Sequence, residues 1–310
     1  MQEKAKVKKK NKWRRELASQ WQLWVLMIPA LISVILFHYV PMYGASIAFK
    51  DVHIGQSLLD GQWVGFKHFE RLFTSDIFGT LMKNTLTIAV IKNLLLWPLP
   101  IIFALIIHNV KSRKVRKVTQ TISYLPHLIS TVVVVSIIDV FCNYETGLIN
   151  VILERFGMDS VYFAGEGKYF LPMYFIADIW VTTGSSAVVY IAALSAVDPQ
   201  LVEAAQIDGA NKLQRIWHVD IPTILPTIIL MQIMHMGKFM TISYEKVLLM
   251  QNDLNLAATE IIGTYVYKTG LQGAQYSFST AVSLFNNVIG LILVLVANKA
   301  AKKFSETALF

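Results

Sequence analysis

The chain has 310 residues, of which 15% are charged and 55% are hydrophobic, and its mean hydropathy is +0.50. Soluble domains carry about 25% charged residues, so a water-soluble globule of this composition would expose large apolar patches. The single cysteine, Cys142, excludes a disulfide scaffold. The composition also excludes a disordered chain, and it favours the lipid bilayer as the solvent for much of the protein.

Six stretches of the sequence are long and apolar enough to cross a bilayer as helices, which takes about 20 residues. No stretch shows the two-residue alternation of a membrane strand. The sequence therefore predicts an all-α polytopic membrane protein. The predicted spans are residues 21–49, 80–109, 119–141, 170–197, 223–243 and 277–297.

The basic residues are divided unevenly between the two sides of the membrane. With the N-terminus inside, eighteen Lys and Arg residues fall in cytoplasmic segments, seven in external loops and three within spans. Because cytoplasmic loops carry the excess of Lys and Arg, both termini are predicted to be cytoplasmic. The basic tail then acts as a topology signal and contacts anionic lipid. The net charge of +8 is therefore not taken as a sign of nucleic-acid binding.

The spans divide the chain into four regions. These are a basic tail (1–20), the first helix with its external loop (21–76), a core of five helices (77–300) and a C-terminal tail (301–310). A basic start followed by an apolar run is also typical of a cleaved signal peptide. Here the apolar run continues to Phe49 and five further spans follow, which favours a retained first helix.

The loop of residues 198–222, between the fourth and fifth predicted spans, departs from the basic trend of the cytoplasmic side. Asp198 followed by proline is a good helix start, and Gly209 can end that helix in a left-handed conformation. Asn211 can cap a second helix, which should stop at Pro222 before the next span. On these grounds alone, a well-capped connector with no further role explains the loop equally well.

The same loop resembles the EAA motif of ABC importer permeases. It has Glu-Ala-Ala, three residues, Gly209 and nine residues before a Val-x-Ile-Pro ending, where that family has Ile-x-Leu-Pro. In that family the loop forms a coupling helix that docks in a cleft of the ATPase subunit. The resemblance implies these ATPase-coupling residues: Glu203, Ala204, Ala205, Asp208, Gly209, Ala210 and Pro222.

The resemblance covers nearly the whole chain. Six spans with both termini inside are similar to the MetI-like fold of type I sugar importer permeases. The segments Pro41-Met42-Tyr43-Gly44 and Trp63-Val64-Gly65-Phe66 resemble the LplB-like group, which serves oligosaccharides or polysaccharide fragments. This implies a multi-pass subunit of the bacterial cell membrane whose partners are a second homologous permease, an ABC ATPase dimer and an extracytoplasmic solute-binding protein.

Motifs for catalysis and for metal binding are missing from the sequence. Gly165 to Lys168 lacks the spacing of a phosphate-binding loop, and the seven histidines show no metal-ligand spacing. Ser185 and Ser186 lack the strand-turn-helix context of a nucleophile elbow. The chain is therefore predicted to have no catalytic residue, metal or cofactor of its own, and the ATPase subunits would bind ATP and Mg²⁺.

Two ionisable residues lie deep in predicted spans: Lys92 about 18 Å and Asp178 about 12 Å from the outer side, at about 1.5 Å per residue. Such groups usually face the bundle interior and pair with one another, so we expect a Lys92–Asp178 pair, either structural or on the sugar path. Aromatic and amide side chains on spans four to six offer stacking and hydrogen bonds to a sugar, although interfacial and helix-packing roles are alternatives. The candidate path is Lys92, Asp178, Trp180, Tyr244, Asn286 and Asn287.

Other functions fit parts of this pattern. An ion-coupled secondary transporter would use Lys92, Asp139 and Asp178 as a relay. A non-transporting membrane scaffold needs no relay. An ABC permease for a non-sugar solute also fits, because the sugar inference depends on the LplB-like segments alone.

Overall fold

The computed structural model describes residues 19–53, 55–57 and 60–304, so most of the predicted basic tail and the last six residues lie outside the described residues. Helices dominate, and a short hairpin pairs strand β1 (Lys50–Asp51) with β2 (Gln62–Trp63). The helices are α1 Trp21–Phe49, α2 Lys67–Phe73, α3 Phe78–His108, α4 Arg113–Leu128, α5 Thr131–Phe141, α6 Leu148–Arg155, α7 Gly167–Ser195, α8 Pro199–Ile207, α9 Lys212–Gly237, α10 Tyr244–Met250, α11 Leu256–Thr259, α12 Ile262–Val266 and α13 Tyr276–Phe304.

Five of these helices, α1, α3, α7, α9 and α13, are long and apolar enough to cross a membrane, and the bent pair α4 and α5 makes a sixth if it counts as one span. The all-α prediction is therefore confirmed. Five of the six predicted spans correspond to single helices, whose ends differ from the predicted ones by up to eleven residues.

The predicted third span, residues 119–141, is wrong as a straight helix. It lies across the junction of α4 and α5, whose axes meet at 99°. Pro126 removes a backbone donor from the last turn of α4. Ser130 then starts a new helix, because its hydroxyl accepts a hydrogen bond from the N–H of Val133. The bend thus follows from local chemistry that a hydropathy plot does not register.

The predicted fifth span, residues 223–243, is also displaced. Helix α9 begins at Lys212 and continues through Pro222 to Gly237, so the expected stop at Pro222 is wrong. A π turn, Ile216–Asp220, ends two residues before the proline. The helix changes its hydrogen-bonding register there, and so it passes a residue that has no N–H to donate.

Helix α7 packs at the centre of the bundle, against α3, α4 and α9. Its Gly184 lies directly on the backbone of Ser123 in α4, and a Cβ at position 184 would overlap the Ser123 carbonyl. A small residue is therefore required for this close approach, as is usual between membrane helices.

Contacts between loops sort the connections into two groups at the two ends of the bundle. At one end, the Val52 N–H donates to the Ser277 hydroxyl (3.0 Å), which holds the hairpin against the start of α13. At the other end, Arg215 at the start of α9 donates to the side chain of Asn109, just after α3. The hairpin before α3 and the connection before α13 therefore lie at one end of the bundle. The connections that follow α3 and α7 lie at the other end.

Candidate coupling loop and transport cavities

The loop between α7 and α9 is closed by local hydrogen bonds at both of its helices. Asp198 caps α8, since its carboxylate accepts from the Gln200 N–H at 2.9 Å. Asn211 and Gln214 form a reciprocal capping box at the start of α9, with both bonds between 2.8 and 2.9 Å. The predicted caps at 198 and 211 are confirmed.

The spacing of the Glu-Ala-Ala and glycine positions has a geometric basis in the end of α8. The Ala210 N–H donates to the Ala205 carbonyl at 2.9 Å, and the Gly209 N–H donates to the Gln206 carbonyl at 3.1 Å. This pair of bonds is a Schellman motif, which needs a left-handed residue at the position of Gly209. Its φ is +78°, so the predicted left-handed glycine is confirmed.

The candidate coupling residues form an accessible surface. Glu203, Ala204, Asp208 and Gly209 are exposed, whereas the two alanines of the Schellman motif, Ala205 and Ala210, are half-buried. Pro222 is exposed on α9 and belongs to the helix rather than to the turn. The small residues and the two acidic side chains, Glu203 and Asp208, are thus accessible on the surface of a rigid turn.

A polar junction connects this loop to the membrane helices. The Arg215 guanidinium contacts the Asn109 side chain and lies 3.4 Å from the carboxylate of Asp220, which is fully buried. The loop, the end of α3 and the start of the α9 span are therefore joined by side-chain contacts as well as by the chain.

A cavity of about 380 Å³, here called the lysine cavity, opens between α3, α5, α7 and the segment after α9. Its titratable lining residues are Lys92, Tyr174, Asp178, His235, Lys238 and Lys246. Asn93, Trp97, Thr182 and Ser186 add neutral polar and aromatic groups. Lys92 and Asp178, the two residues expected to pair deep in the spans, thus line the same cavity.

Asp178 pairs with Lys246, not with Lys92, so the predicted pair is wrong. The Lys246 ammonium lies 2.5 Å from an Asp178 carboxylate oxygen, donates to the Tyr174 carbonyl at 2.7 Å and sits 3.8 Å from the centre of the Tyr174 ring. The side chains of Lys246 and Asp178 are 6% and 14% exposed. The carboxylate that Lys92 was expected to meet is therefore already neutralised.

The predicted path residues divide between two cavities. Tyr244, Asn286 and Asn287 line a second cavity of about 510 Å³, here called the tyrosine cavity, where the Tyr244 ring stacks on Tyr267 at 5.3 Å. Thr241 lines both cavities. The two spaces are therefore neighbours on either side of the segment after α9.

Two other candidates stand apart from these cavities. Trp180 projects from α7 with 44% of its surface exposed and lines neither of them. Asp139, on α5, lines neither as well, so the proposed relay of Lys92, Asp139 and Asp178 is not brought together at one site. No group of His, Cys, Asp and Glu side chains that could hold a metal occurs in the described part of the chain.

Sequence reasoning missed Lys246, which it counted as an external-loop residue. The short helix α10 packs against α5 and brings this lysine into the cavity. Lys246 is followed by Val-Leu-Leu-Met, an apolar run that is too short to predict a span but indicates burial next to the lysine.

Comparisons with known proteins agree with this architecture. Residues 97–303 match the family described as binding-protein-dependent transport system inner membrane component. From Bacillus subtilis (strain 168), the polygalacturonan/rhamnogalacturonan transport system permease protein YteP is 40% identical over 99% of this chain and 96% of its own length. LplB of the same organism is 39% identical over 96% of this chain and 94% of its own length.

A solved structure is similar over almost the full length. One chain of the bacterial alginate ABC transporter, crystallised in complex with an alginate pentasaccharide-bound periplasmic protein, superposes with a TM-score of 0.87 at 36% identity. The match covers 95% of this chain and 99% of that chain.

Proposed function

The chain belongs to the family of binding-protein-dependent transport system inner membrane components, and from that premise we propose that it carries oligosaccharides or polysaccharide fragments across a bacterial cell membrane as one permease of an ABC importer. It is a multi-pass membrane protein of a transport family. The MetI-like fold expected from the sequence is confirmed by the family match and by the superposition.

The observation that carries the proposal is the coupling loop. A docking surface must transmit force, so it must be rigid itself and firmly attached to the helices that move. Two capped helices and the Schellman turn at Gly209 supply the rigidity, and Arg215 supplies the attachment through Asn109 and Asp220. We propose that Glu203, Asp208 and the small residues around Gly209 meet the cleft of an ATPase subunit.

Both termini are proposed to be cytoplasmic. The contact of Arg215 with Asn109 supports this, because it places the basic segment after α3 and the coupling loop at one end of the bundle. The basic segment, which is mainly the start of α4, and the proposed ATPase-docking loop then share the cytoplasmic side, in agreement with the excess of Lys and Arg expected there.

The sugar path is proposed to include the lysine and tyrosine cavities. Their walls combine aromatic rings with amide, hydroxyl and charged groups, the combination that fixes a polar ligand in a pocket. Two of the similar proteins are named for polygalacturonan/rhamnogalacturonan and for alginate, which supports a saccharide as cargo. The full importer would contain a second permease, two ATPase subunits that bind ATP and Mg²⁺, and a solute-binding protein.

Reconstitution tests the proposal. The chain is co-expressed with a candidate second permease and ATPase, purified, inserted into liposomes and supplied with the solute-binding protein and labelled oligosaccharides. We expect ATP-dependent uptake and co-purification of the ATPase, both reduced by Glu203→Lys. If the wild-type assembly retains no ATPase, or hydrolyses ATP without moving any saccharide, the proposed function is wrong.

A further inference from the structure

The lysine cavity has more positive than negative groups. Three lysines, Lys92, Lys238 and Lys246, face it together with a single carboxylate, that of Asp178. Lys92 is close enough to both Lys246 and His235 to interact with them electrostatically. The cationic groups therefore line one and the same cavity.

Two of the lysines have no carboxylate of their own. Lys246 is committed to Asp178 and to the Tyr174 carbonyl, which accounts for its charge. Lys92 and Lys238 form no ion pair with any residue in the described ranges. After the Lys246–Asp178 pair is cancelled, the cavity keeps two positive charges.

The two lysines differ in exposure. Lys92 lies near the middle of the 31-residue helix α3 and is half-buried, whereas Lys238, directly after the end of α9, is exposed and lines the same cavity. Ionisable groups inside a membrane bundle face a cavity and pair with another charge, because desolvation is expensive. An anion that comes from outside this chain would supply that partner.

We infer that the lysine cavity selects oligosaccharides that carry carboxylates, and that Lys92 and Lys238 bind a uronate carboxylate as it passes. This inference rests on the proposed function and specifies its substrate class. Charge-assisted hydrogen bonds from two ammonium groups suit a carboxylate. Asn93 and Ser186 can bond sugar hydroxyls, and the Trp97 ring offers an apolar face.

The cavity also suits transport rather than tight storage. Its volume of about 380 Å³ is near the lower end of ligand pockets, which span roughly 300–1,000 Å³, so it holds a short part of a chain at a time. Lysine is a flexible point charge without the fixed fork geometry of arginine. Two lysines can therefore pass a carboxylate from one to the next without locking it in place.

The test uses the complete reconstituted importer and two probes: a trisaccharide of galacturonate, and the same trisaccharide with every carboxylate reduced to an alcohol. Uptake and ATP hydrolysis are measured for wild type, for Lys92→Gln/Lys238→Gln and for Lys92→Arg/Lys238→Arg. Lys299→Gln is the matched control, because it removes one exposed positive charge near the end of α13, away from the cavity.

We expect the double Gln variant to assemble with its partners, while its uptake of the galacturonate trisaccharide falls at least tenfold. The double Arg variant keeps both charges but binds a carboxylate more rigidly, so its uptake should lie between those of the double Gln variant and wild type, whereas Lys299→Gln should stay within about threefold of wild type. Normal uronate uptake by the double Gln variant overturns the inference. Failure of that variant to assemble with the second permease overturns it too, because the lysines would then serve the subunit interface.

The two probes separate this inference from the proposed function. Uptake of the reduced trisaccharide but not of the galacturonate trisaccharide by wild type overturns the uronate specificity and leaves an oligosaccharide importer. An assembled wild type that moves neither probe, nor any other saccharide in a panel, refutes the proposed function itself.

Discussion

The Lys246 ammonium and the Asp178 carboxylate lie 2.5 Å apart, although 67 residues separate them in the chain and they belong to different helices. Helix α10 contributes the lysine and α7 the carboxylate. Both side chains are largely buried, so each charge depends mainly on the other for compensation. The pair therefore holds the short helix α10 to the central helix of the bundle.

Breaking this pair on one side should be more harmful than replacing both groups. Lys246→Met or Asp178→Leu leaves a buried charge without a partner, at an expected cost of about 3–5 kcal/mol. The double replacement removes both charges and should cost clearly less than the sum of the single changes. Thermal unfolding of the purified transporter in detergent, analysed as a double-mutant cycle, measures the coupling.

The cycle has a matched control in the same cavity. Lys92→Met combined with Asp178→Leu should be close to additive, because Lys92 does not contact that carboxylate. Strong coupling of Lys92 to Asp178, with none for Lys246, would contradict the observed pairing.

Gly184→Ala should loosen the bundle. The added Cβ would overlap the Ser123 backbone carbonyl, so α7 and α4 must move apart, at an expected cost of about 1–3 kcal/mol for overpacking. Gly79→Ala on α3 is the control, since a Cβ there meets no atom within 4 Å. The midpoint of thermal unfolding and the yield of monodisperse protein are measured. Equal effects of the two changes would show that the close approach at Gly184 contributes nothing to the stability of the protein.

The chain purified without its partners should not hydrolyse ATP. Its sequence has no phosphate-binding loop, so it offers neither the glycine-rich cradle nor the lysine that such hydrolysis uses. Phosphate release is measured before and after the ATPase subunits are added, and we expect activity after the addition only. Hydrolysis that stays with the isolated chain through successive purification steps would refute the division of labour between subunits.

Local chemistry explains which features the sequence could predict. Five of the six spans were predictable as single helices, because hydropathy over about 20 residues is a strong signal. The coupling loop was predictable because a cap at Asp198, a cap at Asn211 and a left-handed glycine each act within a few residues. Pro222 was misjudged, since the π turn before it depends on how the whole α9 helix is placed.

The lysine cavity could not be predicted in the same way. The burial of Lys246 arises from the packing of α10 against α5, whose sequence is more than a hundred residues earlier. Lys92 lies near the middle of helix α3, but its position along the helix does not choose between two possible partners. The right-angled junction of α4 and α5 likewise determines which residues of α5 reach the cavity wall. A hydropathy plot gives no information about the angle between two helices.

Gly209→Val should uncouple the transporter without unfolding it. At φ +78° a side chain costs of order 1 kcal/mol or more, although the space around the position is open, with no atom within 4 Å of the added Cβ. That cost is small compared with the stabilisation that the packed membrane helices provide. The relaxed turn, however, would lose the bonds from the Gly209 and Ala210 N–H groups to α8, and the surface that docks with the ATPase would shift.

We therefore expect Gly209→Val to reach the membrane in near-normal amounts while uptake and substrate-stimulated ATP hydrolysis fall at least tenfold. Gly157→Val is the matched control, because Gly157 also has a positive φ (+75°) and open space around its Cβ, but lies in the loop after α6. Gly209→Asn should retain much of the activity, since asparagine tolerates the left-handed conformation. Equal loss of transport in Gly157→Val and Gly209→Val would mean that strain in any loop is harmful. Normal transport by Gly209→Val would remove the coupling role from this turn.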